Sequence, residues 1–167
     1  GGSGNWNAAG NWSTTSGGAS NGTFPVAGDV VVFDSLSANA PMTVNVASAC
    51  ASLVMSGTYA GTLTFTDTLT LTSTCTFVAA CTIAGTAGTL IHTGAATLTS
   101  AGKTLTCALS LLANNAYTLA DNWAVSGLVT VGTNGGTTTA NGVGKTLSCN
   151  GGFRKIVGAT INGTAKV

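Results

Sequence analysis

Charge is nearly absent from this chain of 167 residues: Asp, Glu, Lys and Arg make up 5% of it, and Glu does not occur at all. A helical domain covers its outer face with Glu, Lys and Arg, so the shortage argues against one. The four acids, Asp29, Asp34, Asp67 and Asp121, are scattered, and the only adjacent basic pair is Arg154-Lys155 in a chain of net charge +1. A phosphate-binding groove needs several clustered cations, which leaves no nucleic-acid partner to expect. Long hydrophobic runs are also missing. Mean hydropathy is positive, yet apolar residues alternate with polar ones and never approach the roughly 18 that a membrane helix needs. Aromatic residues, at 6%, are too few for the girdles of a membrane barrel. No membrane span is expected.

What is abundant is threonine. From Gly61 to Leu112, Thr alternates with Leu, Phe, Ile or Cys in short runs, and Gly, Ala, Ser or Asn interrupts them about every seven to ten residues. Period-two alternation is the signature of extended strands, and Thr is a strand former able to face water. The fold class expected is all-β. Gly102-Lys-Thr-Leu-Thr-Cys107 reappears as Gly144-Lys-Thr-Leu-Ser-Cys149, which suits two turns of a coil of roughly 20–25 residues. The architecture expected is a right-handed parallel β-solenoid over residues 35–167, closed by a capping segment over residues 1–34. A β-sandwich, which also uses short, regularly spaced strands, is the alternative. Asn-Gly pairs at 21–22, 134–135, 141–142, 150–151 and 162–163 mark turns.

Cys50, Cys75, Cys81, Cys107 and Cys149 are odd in number and share parity with neighbouring apolar residues. They read as buried free thiols stacked in the interior, because the intervals from Cys50 to Cys75 and from Cys81 to Cys107 are each close to one coil. Neither CxxC pairs nor a second His accompany them, so no metal site is expected. Gly102-Lys103-Thr104 and Gly144-Lys145-Thr146 lack the earlier Gly and the following helix of a phosphate loop. Asp67 and Asp121 could serve glycoside hydrolysis only if the interval between them were a whole number of coils and set them on one face. Arg154 and Lys155 have no acid nearby for lyase chemistry. His92 reads as an inward or edge histidine with its nitrogens satisfied. Trp6 and Trp12 read as an end plug rather than a sugar-stacking platform. The Thr-x-Thr runs resemble an ice-binding face, but their interruptions are unequal in length. No catalytic, cofactor-binding or metal-ligating residue is assigned, and no cofactor is expected.

The segments GGSGNWNAAGNWS, PVAGDVVVFD and TVNV together resemble the opening of a module found in secreted bacterial β-solenoids, such as autotransporter-like passenger segments, and in phage virion proteins. The resemblance covers roughly residues 1–50; the remainder matches in texture. It implies a non-enzymatic structural or adhesive part of a phage virion surface (tail fibre, spike or capsid decoration) or of a bacterial surface. The implied location is extracellular or on a virion. The implied partners are other virion or surface subunits, copies of the chain itself in a homo-oligomer such as a trimer, and a host-surface glycan. A polysaccharide-degrading spike fragment and an ice-binding solenoid are the alternatives. The opening GGSG and the strand-like close INGTAKV read as cut from a longer product.

Overall fold

The structure, a computed structural model, describes residues 4–112, 115–132, 138–156 and 159–166. The turn expected at Asn134-Gly135 lies outside them. The cap region contributes β1 (Gly4–Asn5) and β2 (Val30–Phe33). Then the chain winds through β3 (Met42–Val44), β4 (Ser48–Cys50) and β5 (Ser52–Met55), and through β6 (Thr62–Phe65), β7 (Thr68–Leu71) and β8 (Cys75–Thr76). The next two circuits are β9 (Thr82–Ala84), β10 (Thr89–His92), β11 (Ala96–Thr99) and β12 (Thr104–Leu105), β13 (Ala108–Leu111), β14 (Ala116–Leu119). Last come β15 (Trp123–Val125), β16 (Val129–Val131), β17 (Thr138–Cys149), β18 (Phe153–Lys155) and β19 (Ala159–Lys166). Among the described residues there is no α-helix, only single 3-10 turns at Ala9–Asn11 and Ser35–Ser37.

The strands pair in parallel, each with the strand one circuit away. The sheet ordered β18-β16-β13-β10-β7-β4 holds six strands, which corresponds to about five turns of a β-solenoid. Turn length is not constant: Thr89 pairs with Ala108 across a short circuit, and Val129 with Phe153 across a longer one. The solenoid expected from the alternation is the fold observed, and the sandwich, which needs antiparallel sheets, is not.

Register explains the core. Leu69, Leu90, Leu109 and Val129 are ladder partners in succession, all fully buried. Val31, Leu53, Cys75 and Leu98 form a second ladder on another face. Each inward Leu removed from water contributes roughly 1.5–3 kcal/mol, and the strand spacing of about 4.8 Å keeps like groups in van der Waals contact from rung to rung. The threonines between them are at least partly exposed, so the alternation sorts the two sides of the wall.

Two details differ from expectation. The Asn-Gly pair at 141–142, expected as a turn, lies inside the single 12-residue β17, which carries an irregularity between Asn141 and Thr146 as it passes from one face to the next. The repeated GKTL motif does lie two circuits apart, but Leu105 pairs with Val125 and Val125 with Cys149, so the echo is displaced by two positions. A shift of two preserves which side chains face inward, and the core tolerates it.

Candidate functional site

A groove of about 540 Å³ lies at the capped end, between β2 and the loop that runs from Asn11 to Pro25. Its position follows from how the cap is held. Trp6 is fully buried and closes the shaft, with its ring 4.9 Å from that of Trp12. Trp12 donates from Nε1 to the Trp6 carbonyl at 2.7 Å and packs 5.9 Å from Phe33, whose ring lies 5.2 Å from Tyr59. This row of aromatics pins the cap to the first rungs. Trp6 is therefore a plug, as expected, and offers no face to a sugar, whereas Trp12 is only partly buried and lines the groove.

Asp34 borders one end of the groove. Its carboxylate accepts from the Leu36 N–H at 2.9 Å and the Ser37 N–H at 3.1 Å, capping the 3-10 turn, and also from the Ser16 hydroxyl across the groove. The Ser16 hydrogen bond holds the carboxyl below its ordinary range against the opposing effect of burial, and the hydrogen bonds from Leu36 and Ser37 add to the lowering. Asp29, at the other end of β2, accepts from the Val26 N–H at 2.9 Å. Between them Val30 and Val32 stand 62% and 48% exposed, and Phe24 and Val26 are exposed beside them. The groove is thus an apolar strip with an acid at each end.

Asp67 and Asp121 are not brought together. Asp67 accepts from the Thr68 N–H at the corner before β7, where Gly88 of the next circuit lies against its carbonyl. Asp121 accepts from the N–H groups of Ser100 and Ala101 at 2.8 and 2.6 Å and supports a different corner, after β14. Because circuits differ in length, the interval between the two acids carries no common face. Each carboxylate is a turn-holding group. Arg154 and Lys155 are exposed on β18.

The histidine expectation needs correction. His92 is fully buried, in register between Leu71 and Leu111, and neither ring nitrogen has a hydrogen-bond partner at good geometry. Burial pushes its pKa down to about 4, with the Ser73 backbone opposing weakly. A neutral imidazole here fills space in an apolar stack.

All five cysteines are buried and free, as their parity implied. They do not stack on one another: Cys50 pairs in register with Leu71, Cys75 with Leu53 and Leu98, and Cys149 with Val125. The interval from Cys50 to Cys75 overshoots one turn, so Leu71 takes the place where a second Cys was expected. Burial pushes Cys50 and Cys107 up to about 12 and raises Cys75 further, with Cys50, Cys107 and Cys81 adding to the effect. Such thiols are poor nucleophiles. Among the described residues no three His, Cys, Asp or Glu side chains cluster as metal ligands would.

The groove was not anticipated. Its only sequence signal is the run Val30-Val31-Val32-Phe33, in which every residue is apolar where most other strands alternate with Thr or Ser. Comparison with protein-family models, with curated proteins and with solved structures finds no match to this chain.

Proposed function

We propose that this chain is a non-enzymatic structural or adhesive element of a phage virion surface (a tail fibre, spike or capsid decoration) or of a bacterial surface. The observation that carries the reading is the uninterrupted parallel stack, about five turns filled by Leu, Val, Cys and aromatic residues and plugged at one end by Trp6. Each inner strand satisfies its backbone groups on the turns either side, which makes a stiff rod that needs few charges. An outer wall rich in threonine gives such a rod a polar, chemically uniform side on which neighbouring subunits can pack. The module resembled by residues 1–50 points the same way.

Immunogold labelling with antibodies against the chain tests this reading. Label on the surface of particles or cells is the expected result. Label confined to the cell interior, away from any particle, would contradict it, as would turnover of a host polysaccharide by the purified chain.

A further inference from the structure

At the capped end β2 is the last strand of its sheet, and its outer edge is open. The Asp29 carbonyl accepts from Ala51 at 2.7 Å and the Phe33 carbonyl from Ser56 at 2.9 Å, so the odd-numbered residues of β2 turn their N–H and C=O groups to β5. Alternate residues of a parallel ladder face opposite sides. The N–H and C=O groups of Val30 and Val32 therefore point away from β5, and they have no hydrogen-bond partner among the described residues. No residue of β5 lines the groove, whereas β2 and the facing loop do, so the groove runs along this open edge.

Natural edge strands are blunted by Lys, Pro or a bulge. β2 carries none of these and offers exposed valines instead. A volume of about 540 Å³ is within the range of sites that enclose a ligand, and the four residues of β2 run for about 13 Å at roughly 3.3 Å each. The buried side of the groove is apolar, formed by Trp12, Phe33 and Met42. Its charge is of one sign. Asp29 is exposed at one end and Asp34 half-buried at the other, and neither Lys nor Arg occurs in the sequence before Lys103.

We propose that this groove takes an extended segment of a partner protein, which adds to the open edge of β2 as one more strand and carries a Lys or Arg at each end. The free groups of Val30 and Val32 recur at alternate residues, the pattern that the backbone of an added strand matches. The exposed valine side chains give that strand β-branched neighbours to pair with, and the two acids select basic ends. A glycan fits less well. The Trp12 ring is committed to Trp6 and Phe33, and its Nε1 to the Trp6 carbonyl, which leaves no free stacking platform. A second copy cannot present its own basic strand β18 here, because its β19, stacked over β17, would meet the cap. The inference rests on the structural reading above and names the chemistry by which a neighbouring subunit docks.

Calorimetric titration of the full chain with the capped peptide Gly-Lys-Val-Thr-Val-Lys-Gly tests it. The expected result is saturable, one-to-one binding. Methylating one alternate set of the peptide's backbone nitrogens should weaken it about tenfold, and methylating the other set should leave it unchanged, because only one set faces β2. Replacing both Lys of the peptide by Glu should abolish binding. Asp29→Asn, whose amide oxygen can still accept from the Val26 N–H, should weaken it about threefold, the size of an exposed ion pair. Val32→Pro removes an edge N–H that serves no internal hydrogen bond and should block the site in a chain of unchanged β-type circular dichroism. No saturable binding up to about millimolar peptide, equal binding of the Glu peptide, or equal effects of the two methylated sets would each overturn the proposal. Binding of dextran in place of the peptide would assign the groove to a glycan, and self-association that the peptide competes away would assign it to a second copy; either overturns it too. All of these outcomes leave the structural reading standing, because that reading is tested by surface labelling.

Discussion

The hydroxyl of Tyr117 donates to the carbonyl of His92 at 2.8 Å, and the two rings meet edge to face with centroids 6.2 Å apart. The Leu112 carbonyl lies beside the same hydroxyl as a second acceptor that competes for its one proton. Tyr117 thus secures the backbone of residue 92 while leaving the imidazole itself unpaired. The shaft holds a titratable group whose charged form it cannot solvate.

Acid should therefore weaken this fold through His92. The unfolded chain takes up the proton near the ordinary value of 6.5, whereas the folded chain resists until about 4. Between those limits the unfolded state binds more protons, so stability is complete above about pH 6.5 and falls as pH drops towards 4. At about 1.4 kcal/mol per pH unit, the loss is roughly 3 kcal/mol. Asp34, whose pKa is lowered, adds a smaller loss below about pH 4. Urea denaturation at pH 7 and at pH 4.5 measures the effect. His92→Leu should flatten the pH dependence and raise stability by about 1–3 kcal/mol, because two buried nitrogens without partners are removed. An unchanged pH profile in that variant would show that another group is responsible.

Corner glycines should tolerate no side chain where turns approach each other. A Cβ on Gly94 would run into the Thr72 carbonyl of the previous circuit, and one on Gly85, at φ +88°, into the Phe65 backbone. Gly94→Ala should cost about 2–4 kcal/mol, the range of a forced backbone clash. Gly102 has φ +75° but open space around it, so Gly102→Ala should cost only about 1 kcal/mol of left-handed strain. Thermal melts of the two variants separate steric from conformational cost; equal losses would contradict the close approach.

Thiol chemistry reports the interior directly. With all five cysteines buried and free, a thiol reagent should modify none in the native chain and five after unfolding without reductant. Cys75→Ser, which places a hydroxyl in the Leu53 to Leu98 ladder, should cost about 2 kcal/mol. Cys75→Ala should cost about 1 kcal/mol. Fewer than five thiols on unfolding, or rapid native labelling, would contradict the packing.

Strand type, inward parity and coil length were legible because alternation of Thr with Leu is a local signal that the fold never overrides. Leu63, Leu69, Leu90 and Leu98 are all inside, as their parity implies. Register was not legible, because turns of unequal length let a Leu or Val take the place above a Cys without disturbing the sides. The groove was not legible either. The run Val30-Val31-Val32-Phe33 alone does not mark a groove beside it; the groove arises from the path of the cap, anchored through Trp6 and Trp12.

The winding itself is tested most directly by backbone nuclear Overhauser effects at Ile91. In the solenoid, its in-register partners are Thr70 on one side and Ser110 on the other, both parallel. The expected spectrum shows contacts from the backbone of residue 91 to both of those residues, with no close Hα–Hα pair between them. Strong Hα–Hα contacts of an antiparallel ladder, or neighbours other than residues 70 and 110, would contradict the account.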